Sequence, residues 1–290
     1  MGGSPEKGNG MHQEWTQDRD GTAQAIAERF VRARQDATSL SAYPGPMPPD
    51  LATAYQVQDH AIALVSDKLV GWKVGLIAPG LREQYGIDRL AGPIFARNLR
   101  KAPDGDVIDV PLFKGGFAAV EAEFVYRLGE DAPEGKEEWS DDEALALVDS
   151  LHVGIELAGS PFAEINDHGP AVTASDFGNN AGMLLGPSIA SWRARGDNTL
   201  RAETYVDEKL VGSGTGANIP GGPVAALRFL LTHCAKRNRP LKAGDLVTTG
   251  AATGIHEIRA GQTARVEFGS DGTIKCRAVD ARKTAGVAAA

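Results

Sequence analysis

Apolar positions change their period along this chain. Between residues 22 and 37, Ile26, Phe30 and Ala33 recur at i, i+4 and i+7, which predicts an amphipathic helix. The proline-rich stretch YPGPMPPD, Tyr43 to Asp50, ends it and leads into a second helix with Val57, Ala61, Leu64 and Val65 on one face. From Val70 the apolar runs become short and β-like: VGWKVGL, GPIFARN and FAAVEAEFVYRL. After the charged loop DAPEGKEE, Ser140 and Glu143 form an S-x-x-E capping box that predicts a helix through Leu151. Strand-like runs then resume as HVGIELA, AGMLLG, TYVDEKLVG, DLVTTG, TARVEFG and TIKCRAV. One late helix interrupts them, opened by Pro223 and carrying Val224, Leu227, Leu230, Leu231 and Cys234 inward.

Helices first, then many short strands with few helices between them, is not the regular alternation of a doubly wound parallel sheet. The pattern predicts an α+β fold with a mostly antiparallel or mixed β core. We expect one catalytic domain over 21–280, helical over 21–69 and β-rich over 70–280. Flexible tails are expected at 1–20 and 281–290. With 290 residues, 42% of them hydrophobic, the chain can bury a substantial core. A net charge of −8 argues against nucleic acid as a partner. No apolar run approaches the ~18 residues of a membrane-spanning helix, and the polar first twenty residues do not resemble a secretory leader. No membrane partner is expected, and the expected location is cytoplasmic. Cys234 and Cys276 are the only cysteines, too few for a zinc ribbon or a disulfide scaffold.

The chemistry concentrates where charges interrupt strands. In FAAVEAEFVYRL, period-two geometry puts Val120, Ala122, Phe124 and Tyr126 on one face and Glu121 with Glu123 on the other. Facing solvent, the two glutamates need no explanation. Facing inward, they repel and lose hydration unless a cation compensates, and a hard ion such as Mg²⁺ or Mn²⁺ takes such oxygen ligands. Glu156 interrupts a second apolar strand, HVGIELAG, and makes a three-carboxylate site the favoured reading. Lys73, in VGWKVGL, is either an edge-strand gatekeeper or a cation held in a site. His168, in NDHGP, is either a turn-capping loop residue or a water-activating base. His60 and His233 fall in helical stretches and read as packing or surface residues. GSGTG, at Gly212 to Gly216, lacks phosphate-loop spacing and reads as a turn.

Taken in order, GWKVGL, VEAEFVYRL, GIELAGSP, TASDFGNNAGMLLGP and LVTTGAATG resemble the 2-keto-4-pentenoate hydratase family of the fumarylacetoacetate hydrolase superfamily. That family includes 2-oxohept-3-ene-1,7-dioate hydratases and 4-oxalocrotonate decarboxylases. The resemblance spans roughly Leu51 to Val279. It implies a β-rich fold with a central rolled mixed sheet, a Mg²⁺ or Mn²⁺ ion, and a homo-oligomer. Its metal ligands fall on Glu121, Glu123 and Glu156, and its lysine on Lys73. Asp176 and Asn179 of DFGNN, with Thr249, Gly250, Thr253 and Gly254 of the glycine-flanked turn, are implied as substrate-binding residues. Such turns expose backbone N–H groups to an anion. Two departures stand out. The family's catalytic aspartate corresponds to Ala91 in DRLAGPIF, with Asp88 out of register, and Asn179 stands where a serine is usual.

The resemblance implies an enzyme that adds water to a small 2-hydroxy-dienoate or 2-oxo-enoate, as in aromatic-compound catabolism. Acylpyruvate C–C hydrolysis and oxalocrotonate-type decarboxylation are the neighbouring chemistries, and Lys73 and His168 are the catalytic candidates. A non-catalytic relative that keeps the fold is the alternative from another class, supported by the two departures and opposed by the retained carboxylates.

Overall fold

A computed structural model describes residues 15, 18–103 and 105–283. Most of the two expected tails lies outside these residues, although helix α1 (Arg19–Asp36) begins two positions before the expected domain start. Ile26, Phe30 and Ala33 are buried as their spacing predicts. Asp18 caps α1 at its N-terminus by accepting the N–H of Gly21. Helix α2 (Leu51–Leu64) buries Val57 and Ala61 but leaves Leu64 exposed at its last turn.

Strand β1 (Leu69–Leu76) is followed by helix α3 (Pro79–Tyr85), which buries none of its residues, and by strand β2 (Arg89–Phe95). Strands β3 (Leu99–Lys101), β4 (Val107–Leu112) and β5 (Phe117–Leu128) come next. The Ser140–Glu143 capping box forms, but helix α4 (Asp141–Ala146) stops well short of Leu151. Strand β6 (Val148–Ser160) takes over there, because its backbone pairs antiparallel with β5 along almost the whole length of both. Helix α5 (Pro170–Ser175) and strands β7 (Asn180–Ser188), β8 (Arg201–Val206) and β9 (Lys209–Thr215) precede helix α6 (Gly222–Lys236). Strands β10 (Leu246–Thr248), β11 (His256–Glu257), β12 (Thr263–Glu267) and β13 (Thr273–Asp280) are the last elements among the described residues.

The strands form two mixed sheets, as an α+β reading requires. The larger runs β2-β1-β10-β5-β6-β7-β3, with β11 also paired to β5. In it, β10 lies parallel to β1 and antiparallel to β5. The smaller runs β4-β13-β12-β8-β9. Val120, Ala122, Phe124 and Tyr126 of β5 join Val266, Ile274 and Cys276 of the smaller sheet and Leu227, Leu230 and Cys234 of α6 in one apolar core. Both cysteines are free and buried there, and burial pushes each thiol up to about 12. On the other face of the larger sheet, Ile94, Val125, Met183 and Leu246 form a thinner apolar layer. A separate cluster of α1 and α2 residues, with Phe95, Phe162 and Phe177, packs the helices onto the sheet.

Candidate active site

The carboxylate face of β5 is buried rather than solvated. Glu121 stands directly opposite Glu156 in the β5–β6 register, and Glu123 follows two positions along the same face. Glu123 and Glu156 are completely buried and Glu121 nearly so. Each offers an oxygen, and these atoms lie within 4.8 Å of one another. Lys73 enters from β1, two strands away across β10, and its Nζ is 3.3 Å from Glu156 Oε1.

Backbone and side-chain donors orient the trio. The N–H groups of Thr249 and Gly250, just past β10, donate to Glu123 Oε2 at 2.9 and 2.6 Å. Asn180 Nδ2 donates to Glu156 Oε1 at 3.1 Å. Glu123 Oε1 and Glu156 Oε2 are buried without any partner. Two orphaned carboxylate oxygens in one small space are costly as they stand.

The charges say the same. Three carboxylates against one ammonium leave two negative charges uncompensated when all are ionised. Burial, and then the neighbouring Glu156, push the Glu121 carboxyl up to about 8. Burial likewise drives Glu123 well above its ordinary range, reinforced by Glu156 and Glu121. For Lys73, burial alone favours the neutral amine, yet the combined field of Glu156, Glu121 and Glu123 wins and holds the ammonium above its usual value. A divalent cation matches the surplus charge and supplies a partner for the orphaned oxygens, and hard cations take this kind of ligand set. The residues present fit a divalent metal.

The sequence profile described as "Fumarylacetoacetate (FAA) hydrolase C-terminal" matches residues 94–279, well over half of the chain. The chain belongs to the fumarylacetoacetate hydrolase family. Among its relatives, a 2-keto-4-pentenoate hydratase of Paraburkholderia xenovorans is 24% identical over 259 residues, covering 89% of this chain and 94% of its own. A 4-oxalocrotonate decarboxylase of a Pseudomonas species is 26% identical over 257 residues, covering 86% and 95%. In fold, the chain is similar to the 4-oxalocrotonate decarboxylase of Pseudomonas putida G7 complexed with magnesium and adipate. The TM-score is 0.76 at 22% identity, over 92% of this chain and all of that one. This is the β-rich fold that the ordered motifs imply.

Within this family fold, the remaining sequence candidates are placed unevenly. Thr249 and Gly250 reach the carboxylates through their backbone, while the Thr249 hydroxyl is used on the Phe124 carbonyl. Thr253 instead shares a hydrogen bond of 2.8 Å with Thr204 of the smaller sheet, and Gly254 is exposed beyond it. Asp176 is buried, with its carboxylate bound by Arg34 and Ser160. Asn179 is buried with its Oδ1 unpartnered. His168 is half-exposed, 3.0 Å from Glu164 Oε2 and stacked on Phe162. Ala91 sits opposite Val74 and faces the inter-sheet core, whereas its neighbour Gly92 is the residue opposite Lys73. Asp88 is paired with Arg89. Of the helical histidines, His60 bonds Asp20, while His233 stacks on Phe229 and meets the Tyr55 ring at a tilt. Sequence reasoning missed Asn180 and Arg34. An asparagine two positions after a glycine in DFGNN, and an arginine on a helix, carry no pattern that separates them from surface residues.

Proposed function

We propose that this protein is a divalent-metal-dependent hydratase that adds water to a small 2-hydroxy-dienoate or 2-oxo-enoate, with Mg²⁺ or Mn²⁺ held by Glu121, Glu123 and Glu156. The carrying observation is the buried trio with its two orphaned oxygens beside one ammonium. Similarity to 2-keto-4-pentenoate hydratases over most of both chains supports the reaction class. When bound, the ion supplies Lewis-acid polarisation of substrate oxygens. Glu123 is held in place by the Thr249 and Gly250 amides, and Glu156 by Asn180, so two ligands keep their direction without substrate. Lys73 stays charged in this field, so its Nζ is a donor able to stabilise developing negative charge on the substrate and to give up a proton as the double bond is saturated. The buried setting strengthens each of these interactions.

Decarboxylation of an oxalocrotonate-like acid is the second reading, favoured by the decarboxylase relatives. Incubation of the purified protein and Mg²⁺ or Mn²⁺ with 2-hydroxypenta-2,4-dienoate, 4-oxalocrotonate and an acylpyruvate, followed by NMR of the products, separates the readings. Formation of the 4-hydroxy-2-oxo acid supports the hydratase. Carbon dioxide release from the dicarboxylic acid, or C–C cleavage of the acylpyruvate, without hydration overturns it.

The assembly we infer is a homo-oligomer. Among the described residues strand β9 ends its sheet without a further partner and exposes Leu210 and Val211, with Ile255 also exposed, and an apolar edge of this kind invites pairing with another chain.

A further inference from the structure

Helix α1 reaches the metal site through one side chain. The Arg34 guanidinium grips Asp176 with two nearly equal bonds, Nε to Oδ1 at 2.7 Å and Nη2 to Oδ2 at 2.8 Å. Its remaining donors go to backbone carbonyls of the two adjoining strands, beyond Glu156: Nη1 to Asn180 at the start of β7 at 2.9 Å, and Nη2 to Gly159 near the end of β6 at 3.1 Å. The Phe177 ring lies under it, 4.9 Å from the guanidinium carbon. The pair is almost fully buried, with 11% of the arginine side chain and 1% of the aspartate exposed.

What this grip restrains is a strained turn. Phe177, Gly178 and Asn179 are all left-handed, with φ of 53°, 61° and 62°. Glycine and asparagine tolerate that region, but the bulky Phe177 does not, so the strain sits on it. The turn is wedged against β2, where a Cβ on Gly92 would overlap the Phe177 carbonyl, and Gly92 is the register partner of Lys73. Immediately after the turn comes Asn180, whose side chain holds Glu156. The chain of contacts therefore runs from Arg34 to the turn, to Asn180, to a metal-site carboxylate.

We propose that Arg34 is a positioning residue: it locks the left-handed 177–179 turn and thereby fixes, through Asn180, the direction in which Glu156 presents its free oxygen. The inference rests on the trio being a metal site. A lysine cannot replace the fork, because one ammonium lacks the planar geometry that meets a carboxylate and two carbonyls together.

The test uses the full chain with Mn²⁺ as probe, its affinity read by electron paramagnetic resonance and backbone exposure by hydrogen exchange. Arg34→Met and Arg34→Lys are expected to raise the Mn²⁺ Kd tenfold or more and to speed exchange of the 177–180 amides. The β12–β13 amides serve as an unmoved reference. Should the Arg34 variants fail to fold, Asn180→Ala breaks only the last link and is expected to raise the Kd similarly with a wild-type melting profile. An Mn²⁺ Kd within twofold of wild type in whichever variants fold overturns the proposal. Because neither readout needs turnover, a wild type that binds Mn²⁺ but hydrates nothing sinks the proposed reaction alone. Unmoved affinity in variants of an active enzyme sinks the positioning role alone.

Discussion

Replacing Glu123 by glutamine isolates the cost of keeping this trio buried. In the metal-free protein the Glu123 carboxyl is driven well above its ordinary 4.5 by burial first and by Glu156 and Glu121 next. The fold therefore favours its neutral form. Each unit by which the fold raises such a carboxyl costs about 1.4 kcal/mol of stability once the pH lies above both its folded and unfolded values. Glutamine matches the shape, and its carbonyl oxygen can still accept from Thr249 and Gly250. It requires no proton. The folded state binds more protons than the unfolded one, so stability falls as pH rises above the solvent pKa and keeps falling up to the folded pKa. In chelator, wild type is expected to lose stability as pH rises above 5, and Glu123→Gln to be the more stable at pH 7 by at least ~1 kcal/mol, the scale of a single unit of pKa shift. The gap should close towards pH 5. With millimolar Mg²⁺ wild type should gain stability by mass action, whereas the variant, short of one ligand, should gain far less. Urea unfolding at fixed protein concentration, with and without chelator, reads all of this. A variant less stable than wild type at every pH in chelator would refute the reasoning. It would show the ionised carboxylate to be a net anchor for the Thr249–Gly250 amides.

Lys73→Ala is expected to keep cooperative unfolding and Mn²⁺ binding while turnover falls by about two orders of magnitude or more, the usual scale for a lost proton-transfer group; activity within a few-fold of wild type would make the residue structural. His168→Ala should change turnover by less than about tenfold, well below the usual scale for a lost general base, since the imidazole is engaged by Glu164 and Phe162 at a half-exposed position; near-complete loss of a cleavage activity shown first in wild type would reverse the ranking of hydratase over hydrolase. Light scattering at micromolar concentration should give a mass of at least twice the 30.5 kDa chain, and a clean monomer would leave the β9 edge unexplained.

The parts of this architecture legible in sequence are those set by local period. Period two on β5 places Glu121 and Glu123 on one face, and the interruption of β6 by a glutamate marks Glu156. The capping box at Ser140 and the proline at the start of α6 mark helix starts that the structure keeps. Ends and pairings are another matter. The end of α4 is decided by the pull of β5 on the residues after Leu147, a long-range contact that no local pattern encodes. Helices α3 and α5, each only a turn or two long behind a proline, fall below the length at which periodicity speaks. The Glu121–Glu156 register, and the three-residue strand that separates β5 from the Lys73 strand, likewise depend on partners distant in sequence. Arg34 reads as one more charge on an amphipathic helix; only the fold reveals that it is buried against Asp176.

That three-residue strand also bears on how the site is born. The carboxylates belong to β5 and β6, near neighbours in sequence that can pair as soon as both have left the ribosome. Lys73, made earlier, has no route to them until β10 slots in parallel to β1, more than 170 residues later in the chain. Until then the trio sits on an open hairpin in water, where three negative charges are tolerable. Arrival of β10 brings the lysine alongside and delivers the two amides that seize Glu123. A nascent or truncated chain ending before Leu246 thus carries the acidic half of the centre without its lysine alongside, and the centre is completed only once β10 has been made.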